Sequence, residues 1–294
     1  MPRIAAISDD VHSTFAEAAA LAADYGLSGL AVRNVGGRNV LGIADDEVRD
    51  IRAAAQRRDL AISAVTSQLG RDLLVHSDDS DLADRVRRLT DIANALDCSL
   101  IRVFATWIGG MDPVGAWSQR PPRPVPPIVV DRLQRLAALA ERHGTTLMLE
   151  LEGASYVGTL DEAREVLARV DSPALAICWD VCNGWWSGEH PIAALPLAAE
   201  LPIVDVQTKD VRVDPADSGR AGLVQVDLST GDLPYAHVID TLVAGGYDGW
   251  FTVERVFHPR RPEASPVLSS AIRADIEALH RLLRATAHEK KDLA

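Results

Sequence analysis

Four short apolar runs in the second half of the chain end on side chains that carry oxygen or charge. TLMLELE offers Glu150 and Glu152, two residues apart and so on one face of an extended segment. LAICWD offers Asp180, with Asn183 a turn later; PIVDVQTKD offers Gln207, Lys209 and Asp210; FTVE offers Glu254. The steps from Glu150 to Asp180, Gln207 and Glu254 are 30, 27 and 47 residues, about one strand–helix repeat each with an enlarged final loop. Three carboxylates brought to one place repel unless protonated or neutralised. A divalent cation keeps them charged together, and the all-oxygen set Glu150, Asp180, Gln207 and Glu254 suits Mn²⁺ or Mg²⁺ better than Zn²⁺. Glu150 and Glu254 are then the candidates for moving a proton next to a carbonyl. Lys209 could neutralise an alkoxide or bind an acidic group, against the plainer alternative of a surface ion pair. Any one of these acids could instead cap a helix or meet solvent; their recurrence on three apolar runs favours a shared site.

Bringing those ends together requires strands that all point one way. Short apolar segments alternate with segments of helical period along the whole chain. Strands are expected at 3–8 (β1), 27–35 (β2), 60–67 (β3), 100–104 (β4), 146–150 (β5), 175–180 (β6), 202–208 (β7) and 246–254 (β8). Helices are expected at 16–25 (α1), 45–58 (α2), 82–96 (α3), 128–143 (α4), 160–170 (α5), 192–201 (α6), 235–244 (α7) and 264–283 (α8). Eight strands each followed by a helix favour an α/β fold with a single (β/α)8 TIM barrel spanning 1–294. Residues 106–127, ending in RPPRPVPP, form a long loop between β4 and α4, because so many prolines fit neither a helix nor a central strand. Residues 288–294 are expected to fray. No GxGxxG follows β1, and GxxxxGK[ST] and GxSxG are absent, which removes dinucleotide, P-loop and serine-hydrolase readings.

Composition narrows the partners. Net charge is −12 with no clustered basic stripe, so no nucleic-acid partner is expected. Hydrophobic content of 47% and mean hydropathy of +0.02 describe an ordinary globular chain, and no apolar run approaches the roughly 20 residues of a membrane span. MPRIAAISDD has an acid pair where a secretory signal carries its apolar stretch, and three cysteines make no disulfide framework. A cytoplasmic enzyme for a small-molecule substrate, with no membrane partner and as a possible homodimer, is the expectation. Cys178 and Cys182 bracket Asp180, but with no histidine nearby they read as packing residues. Lys209 is the only lysine outside the last five residues, the other two being Lys290 and Lys291.

The chain resembles the sugar phosphate isomerase/epimerase family of xylose-isomerase-like barrels. The matching pieces are LSGLAVRNVGGRNVLGIADDEV at β2, AISAVTSQLGR at β3, IRVFATW at β4, LMLELEG at β5, WDVCN at β6, VQTKD at β7, STGDLPY, and GYDGWFTVERVFHPRRPE at β8. The resemblance implies one divalent metal held by a Glu, an Asp, a His and a Glu at the ends of β5 to β8. These carry over to Glu150, Asp180 and Glu254, while Gln207 replaces the β7 histidine. A second family histidine, three residues after the β6 aspartate, is Asn183 here. Arg33 resembles a substrate-anchoring position of the family, and Phe104, Trp107, Glu152, Asn183, Trp185 and His258 are the further candidate substrate contacts. Arg102 is the weaker anchor, since it could pair within the barrel.

The reaction expected is metal-dependent isomerisation or epimerisation of a small polyhydroxy carbonyl compound (a sugar, keto-sugar or cyclic polyol) through an enediolate. A lyase using the same enolate to expel a substituent, either a dehydratase or a C-glycoside-cleaving enzyme, is the first alternative. A non-catalytic binding barrel is the second, and it leaves the retained carboxylates unexplained.

Overall fold

The computed structural model describes residues 2–108, 124–213, 223–255 and 265–292, with backbone only at 223, 265–268 and 287–292. Eight parallel strands close into a barrel: β1 (Arg3–Ile7), β2 (Gly29–Val32), β3 (Ala61–Thr66), β4 (Leu100–Val103), β5 (Thr146–Glu150), β6 (Leu175–Asp180), β7 (Ile203–Thr208) and β8 (Trp250–Val253). Spatial order follows chain order around the ring, and β8 pairs back onto β1 from Arg3↔Trp250 to Ala6↔Val253. With every strand pointing the same way, the ends bearing Glu150, Asp180, Gln207 and Glu254 share one mouth.

The helices between strands are α1 (Phe15–Asp24), α2 (Asp45–Gln56), α3 (Leu82–Ala95), α4 (Pro127–Arg142), α5 (Leu160–Val170), α6 (Pro191–Glu200), α7 (Tyr235–Ala244) and α8 (Ser265–Asp292). Local chemistry sets their ends. Thr159 caps α5 by accepting from the Glu162 amide at 3.3 Å, and Asp171 stops it at φ 49°. Proline stands in the first turn of α4 and α6, where its missing N–H costs nothing. Helical backbone in α8 continues through 288–292, which the sequence reads as a frayed tail. Of the 106–127 loop only the two ends are described, 109–123 lying outside the described residues. No described helix is long and apolar enough to cross a membrane.

Additions at the mouth escape the strand–helix count. A one-turn helix, Ser8–Val11, follows β1, and Val181–Trp186 follows β6. Small antiparallel hairpins join Asn34–Val35 to Arg38–Asn39 and Asp210–Val213 to Leu223–Val226.

Alternation along each strand divides the buried side chains. Outward residues such as Leu30, Val32, Ile101, Leu147, Leu149, Ile177, Val206 and Phe251 form one large core with the helices. A separate small cluster of Ala31, Ala64, Met148 and Cys178 fills the barrel interior. Two of these four are alanines, so the interior leaves room for polar side chains above them, and those are the ones with chemistry.

Candidate active site

Glu150, Asp180, Gln207 and Glu254 all lie buried at the C-terminal ends of β5 to β8. Each carboxylate meets a cation supplied by the chain. Lys209 Nζ donates to Asp180 Oδ2 at 2.5 Å and to Glu254 Oε2 at 2.8 Å. Arg102 Nη1 donates to Glu150 Oε2 at 2.8 Å, and Gln207 Nε2 reaches the same oxygen at 3.2 Å. Arg33 Nη1 donates to Glu254 Oε1 at 2.8 Å. Lys209 is only 3% exposed, so its role is not the surface ion pair that composition alone allows.

Lys209 is held from both sides of its own peptide. The Tyr235 hydroxyl accepts from Lys209 N at 3.1 Å and donates to Lys209 O at 2.7 Å. The next residue, Asp210, accepts from the amides of Val211, Ser229, Gly231 and Leu233, which ties the β7 hairpin to the segment entering α7. A Cβ on Gly231 would stand 2.2 Å from Asp210 Oδ1, so glycine is required for that approach. Asp180 also caps the helix it precedes, accepting from Asn183 N at 2.9 Å. Its other oxygen is left for Lys209.

Electrostatics separates the acids. Burial raises Glu254, but the Lys209 ammonium and the Arg33 guanidinium outweigh it and hold the carboxyl well below its usual range. Asp180 is fully buried and is pushed up to about 7 by desolvation, with Lys209 pulling the other way. Glu152 is likewise pushed up to about 7 by burial, with Arg71 opposing it, and its carboxylate accepts a long 3.4 Å contact from Ala154 N. Deeper in the barrel Asp205 is also pushed up to about 7 by burial. It accepts from Thr252 Oγ1 at 2.7 Å and lies 3.9 Å from Cys178 Sγ.

The remaining expected substrate contacts are distributed unevenly. Arg33 is buried and engaged by Asp9, Asp10 and Glu254, so its guanidinium organises carboxylates. Asn183 Nδ2 donates to Leu151 O at 3.0 Å, bracing β5 against the helix after β6. Phe104 is buried, with the Arg102 guanidinium 5.0 Å and that of Arg71 5.7 Å from its ring. Trp107 bridges to Ser155 and has Arg71 4.9 Å over its ring. Trp185 is half-buried beside the mouth, while His258 lies outside the described residues. Sequence reasoning did not single out Asp9, Asp10, Arg71 or Asp205. Asp9 and Asp10 directly follow β1, so the same reading of strand ends extends to them. Arg71 sits on a loop after β3, and nothing in its neighbours marks it.

For a divalent cation, the donor chemistry fits and the arrangement is occupied by the chain. Four oxygen-bearing side chains from β5 to β8 suit a hard ion. Gln207 Oε1 is buried with no hydrogen-bond partner among the described residues, an acceptor that a cation would satisfy. Among the described residues, however, no three His, Cys, Asp or Glu side chains stand together as a metal cage. Lys209 lies between Asp180 and Glu254, and Glu150 is turned to Arg102 and Gln207.

Comparison with known proteins places the chain in a family. An inosose dehydratase of Geobacillus thermodenitrificans is 27% identical over 138 residues, 43% of this chain and 46% of that protein, so the match spans about half of the relative's length. A solved L-ribulose 3-epimerase superposes with a TM-score of 0.74 at 16% identity, covering 100% of this chain and 98% of the other. A xylose isomerase-like barrel protein from Mycobacterium smegmatis, in complex with magnesium, gives 0.72 at 18% identity over 97% and 98%. A family model described as xylose isomerase-like TIM barrel matches residues 19–282. The chain belongs to the xylose isomerase-like TIM barrel family.

Proposed function

We propose that this protein is an enolising enzyme, an isomerase or epimerase that moves a proton next to the carbonyl of a small polyhydroxylated compound. The observation carrying this reading is the asymmetric set of acids around one ammonium. Glu254 is held ionised by Lys209 and Arg33, and Asp180 is paired with the same ammonium, while Glu152 is pushed up to about 7 by burial. Proton transfer at carbon needs a group that starts deprotonated and another that starts protonated. Glu150 and Glu254 are the acceptors in this scheme, and Glu152 returns the proton. Lys209 Nζ faces the negative charge that develops on the substrate oxygen and stabilises the enediolate without solvent reorganisation. The indoles of Trp107 and Trp185 offer apolar faces to a sugar or cyclohexane ring. A Mn²⁺ or Mg²⁺ ion held by Glu150, Asp180, Gln207 and Glu254 would polarise the carbonyl.

A dehydratase is the second reading. It is favoured by the inosose dehydratase relative and by Glu152, whose raised carboxyl could protonate a departing hydroxyl. The substrate class, keto-sugar or keto-cyclitol, is common to both. Its partner is thus a small molecule; a homodimer is retained from the sequence and is read by sedimentation.

One experiment separates these outcomes. Keto-sugars and inososes are incubated with the protein in D₂O and followed by NMR and mass spectrometry. Deuterium at the α-carbon of a product of otherwise unchanged mass supports isomerisation. Loss of water supports elimination. Absence of exchange in every candidate, with Mn²⁺ present or absent, overturns enolisation.

A further inference from the structure

Lys209 occupies the position that a cation would need. Its Nζ lies 2.5 Å from Asp180 Oδ2 and 2.8 Å from Glu254 Oε2, and all three side chains are at most 4% exposed. Those two oxygens are the carboxylate oxygens of β6 and β8 left over after Asp180 Oδ1 caps its helix and Glu254 Oε1 takes Arg33. A divalent ion at coordination distance from both would sit against the ammonium, and two cations that close repel strongly in a dry site. The oxygens can serve one or the other.

We propose that the Lys209 ammonium is a built-in competitor for the divalent cation, so that the ion enters only as Nζ leaves Asp180 and Glu254. This rests on the cation reading above and adds to it the order of events. In the cation-free protein the lysine keeps the buried carboxylates neutralised, so the barrel mouth does not depend on metal for folding. The backbone of Lys209 stays fixed by Tyr235, leaving the four-carbon side chain to move. The Trp186 ring, 5.9 Å from Nζ, is an adjacent face that accepts a cation. Displaced there or toward the mouth, the ammonium becomes free to meet an anionic group of the substrate.

The test compares Mn²⁺ titrations, by calorimetry, of wild type, Lys209→Met, Lys209→Gln and the site-loss control Asp180→Ala. Lys209→Gln keeps hydrogen-bond donors for both carboxylates and guards against a Lys209→Met protein that does not fold. Either substitution is expected to tighten Mn²⁺ binding at least tenfold, with one ion bound and none in Asp180→Ala. A second readout uses wild type alone. The chain has three lysines, two of them at 290 and 291, so the Lys209 ¹³Cε resonance is separable and should shift as Mg²⁺ saturates the site. Equal affinity in wild type and a folded Lys209 variant, or an unmoved resonance while Mg²⁺ binds, overturns the competition. Binding only in the variants upholds the competition while removing the cation from the wild-type reaction. No binding in any of them overturns both.

Discussion

Arg33 Nη1 donates to Glu254 Oε1 at 2.8 Å, joining the end of β2 to the end of β8 over the intervening β1. The same guanidinium receives Asp9 and Asp10 from the turn that follows β1. Three adjacent elements of the ring are therefore tied through one buried fork, a geometry that lysine cannot reproduce. Arg33→Met leaves three buried carboxylates short of a partner, and breaking a buried pair on one side costs about 3–5 kcal/mol. Chemical denaturation at pH 8 should show a loss of that size. Adding Asp9→Asn to Arg33→Met should recover part of it, because one of the carboxylates that loses this guanidinium is then neutral. A loss below about 1 kcal/mol would mean that the carboxylates are solvated in a way this packing does not provide.

Gly70 controls the other side of the mouth. Its φ is +92°, and a Cβ there would stand 2.0 Å from the Phe104 carbonyl oxygen. The close approach seats the loop after β3 on the end of β4 and presents Arg71 to the Phe104 and Trp107 rings. Gly70→Ala combines a backbone clash with a strained conformation, the latter alone of order 1–3 kcal/mol. Thermal and denaturant midpoints should both fall, with a rise in KM exceeding any change in kcat if Arg71 faces substrate. Unchanged midpoints would show that the loop detaches from β4 at no cost.

The barrel was legible because β-strand and helix periodicities are local. Leu147, Leu149 and Ile177 announce strands, and the helices differ from their expected bounds mainly at the ends, where α8 runs on to Asp292. Strand-end position also brought Glu150, Asp180, Gln207 and Glu254 to one mouth. The ionic partnership of Lys209 was not legible. Whether an ammonium two residues past Gln207 turns outward or into the ring depends on Tyr235, 26 residues later, clasping its peptide. Arg33 shows the same limit: its residue type suggests a substrate anchor, and only the arrival of Asp9 and Asp10 from a neighbouring element gives it a structural task. Arg71 and Asp205 carry no local pattern, because their roles come from neighbours on other strands.

Asp205 makes stability depend on pH. Burial pushes its carboxyl up to about 7 in the folded protein, against about 3.9 when unfolded. A raised acid contributes most stability below the unfolded value, and the contribution is lost as pH climbs toward 7 and is flat above. Asp205→Asn keeps an acceptor for Thr252 Oγ1 and removes the charge. The variant should be more stable than wild type by on the order of 2–4 kcal/mol at pH 8, with a smaller margin at pH 5. Denaturation curves at the two pH values decide it. An equal margin at both would show that Asp205 does not titrate in this range.

Glu152 is where pH should enter the reaction. Its carboxyl, pushed up to about 7 by burial with Arg71 opposing, starts protonated in slightly acidic solution. As the group that returns the proton, it is active only while it holds one, so turnover should fall as pH rises through about 7. Glu152→Gln cannot donate, and loss of a positioned acid lowers rate by roughly 10²–10⁴. The pH arm near 7 should vanish with it, while the first step, exchange of the substrate α-hydrogen with D₂O, should survive because Glu150 and Glu254 are untouched. A variant that keeps the pH arm and loses only affinity would make Glu152 a binding residue and remove it as the donor. The split between hydrogen exchange and product formation is therefore the measurement that assigns the donor.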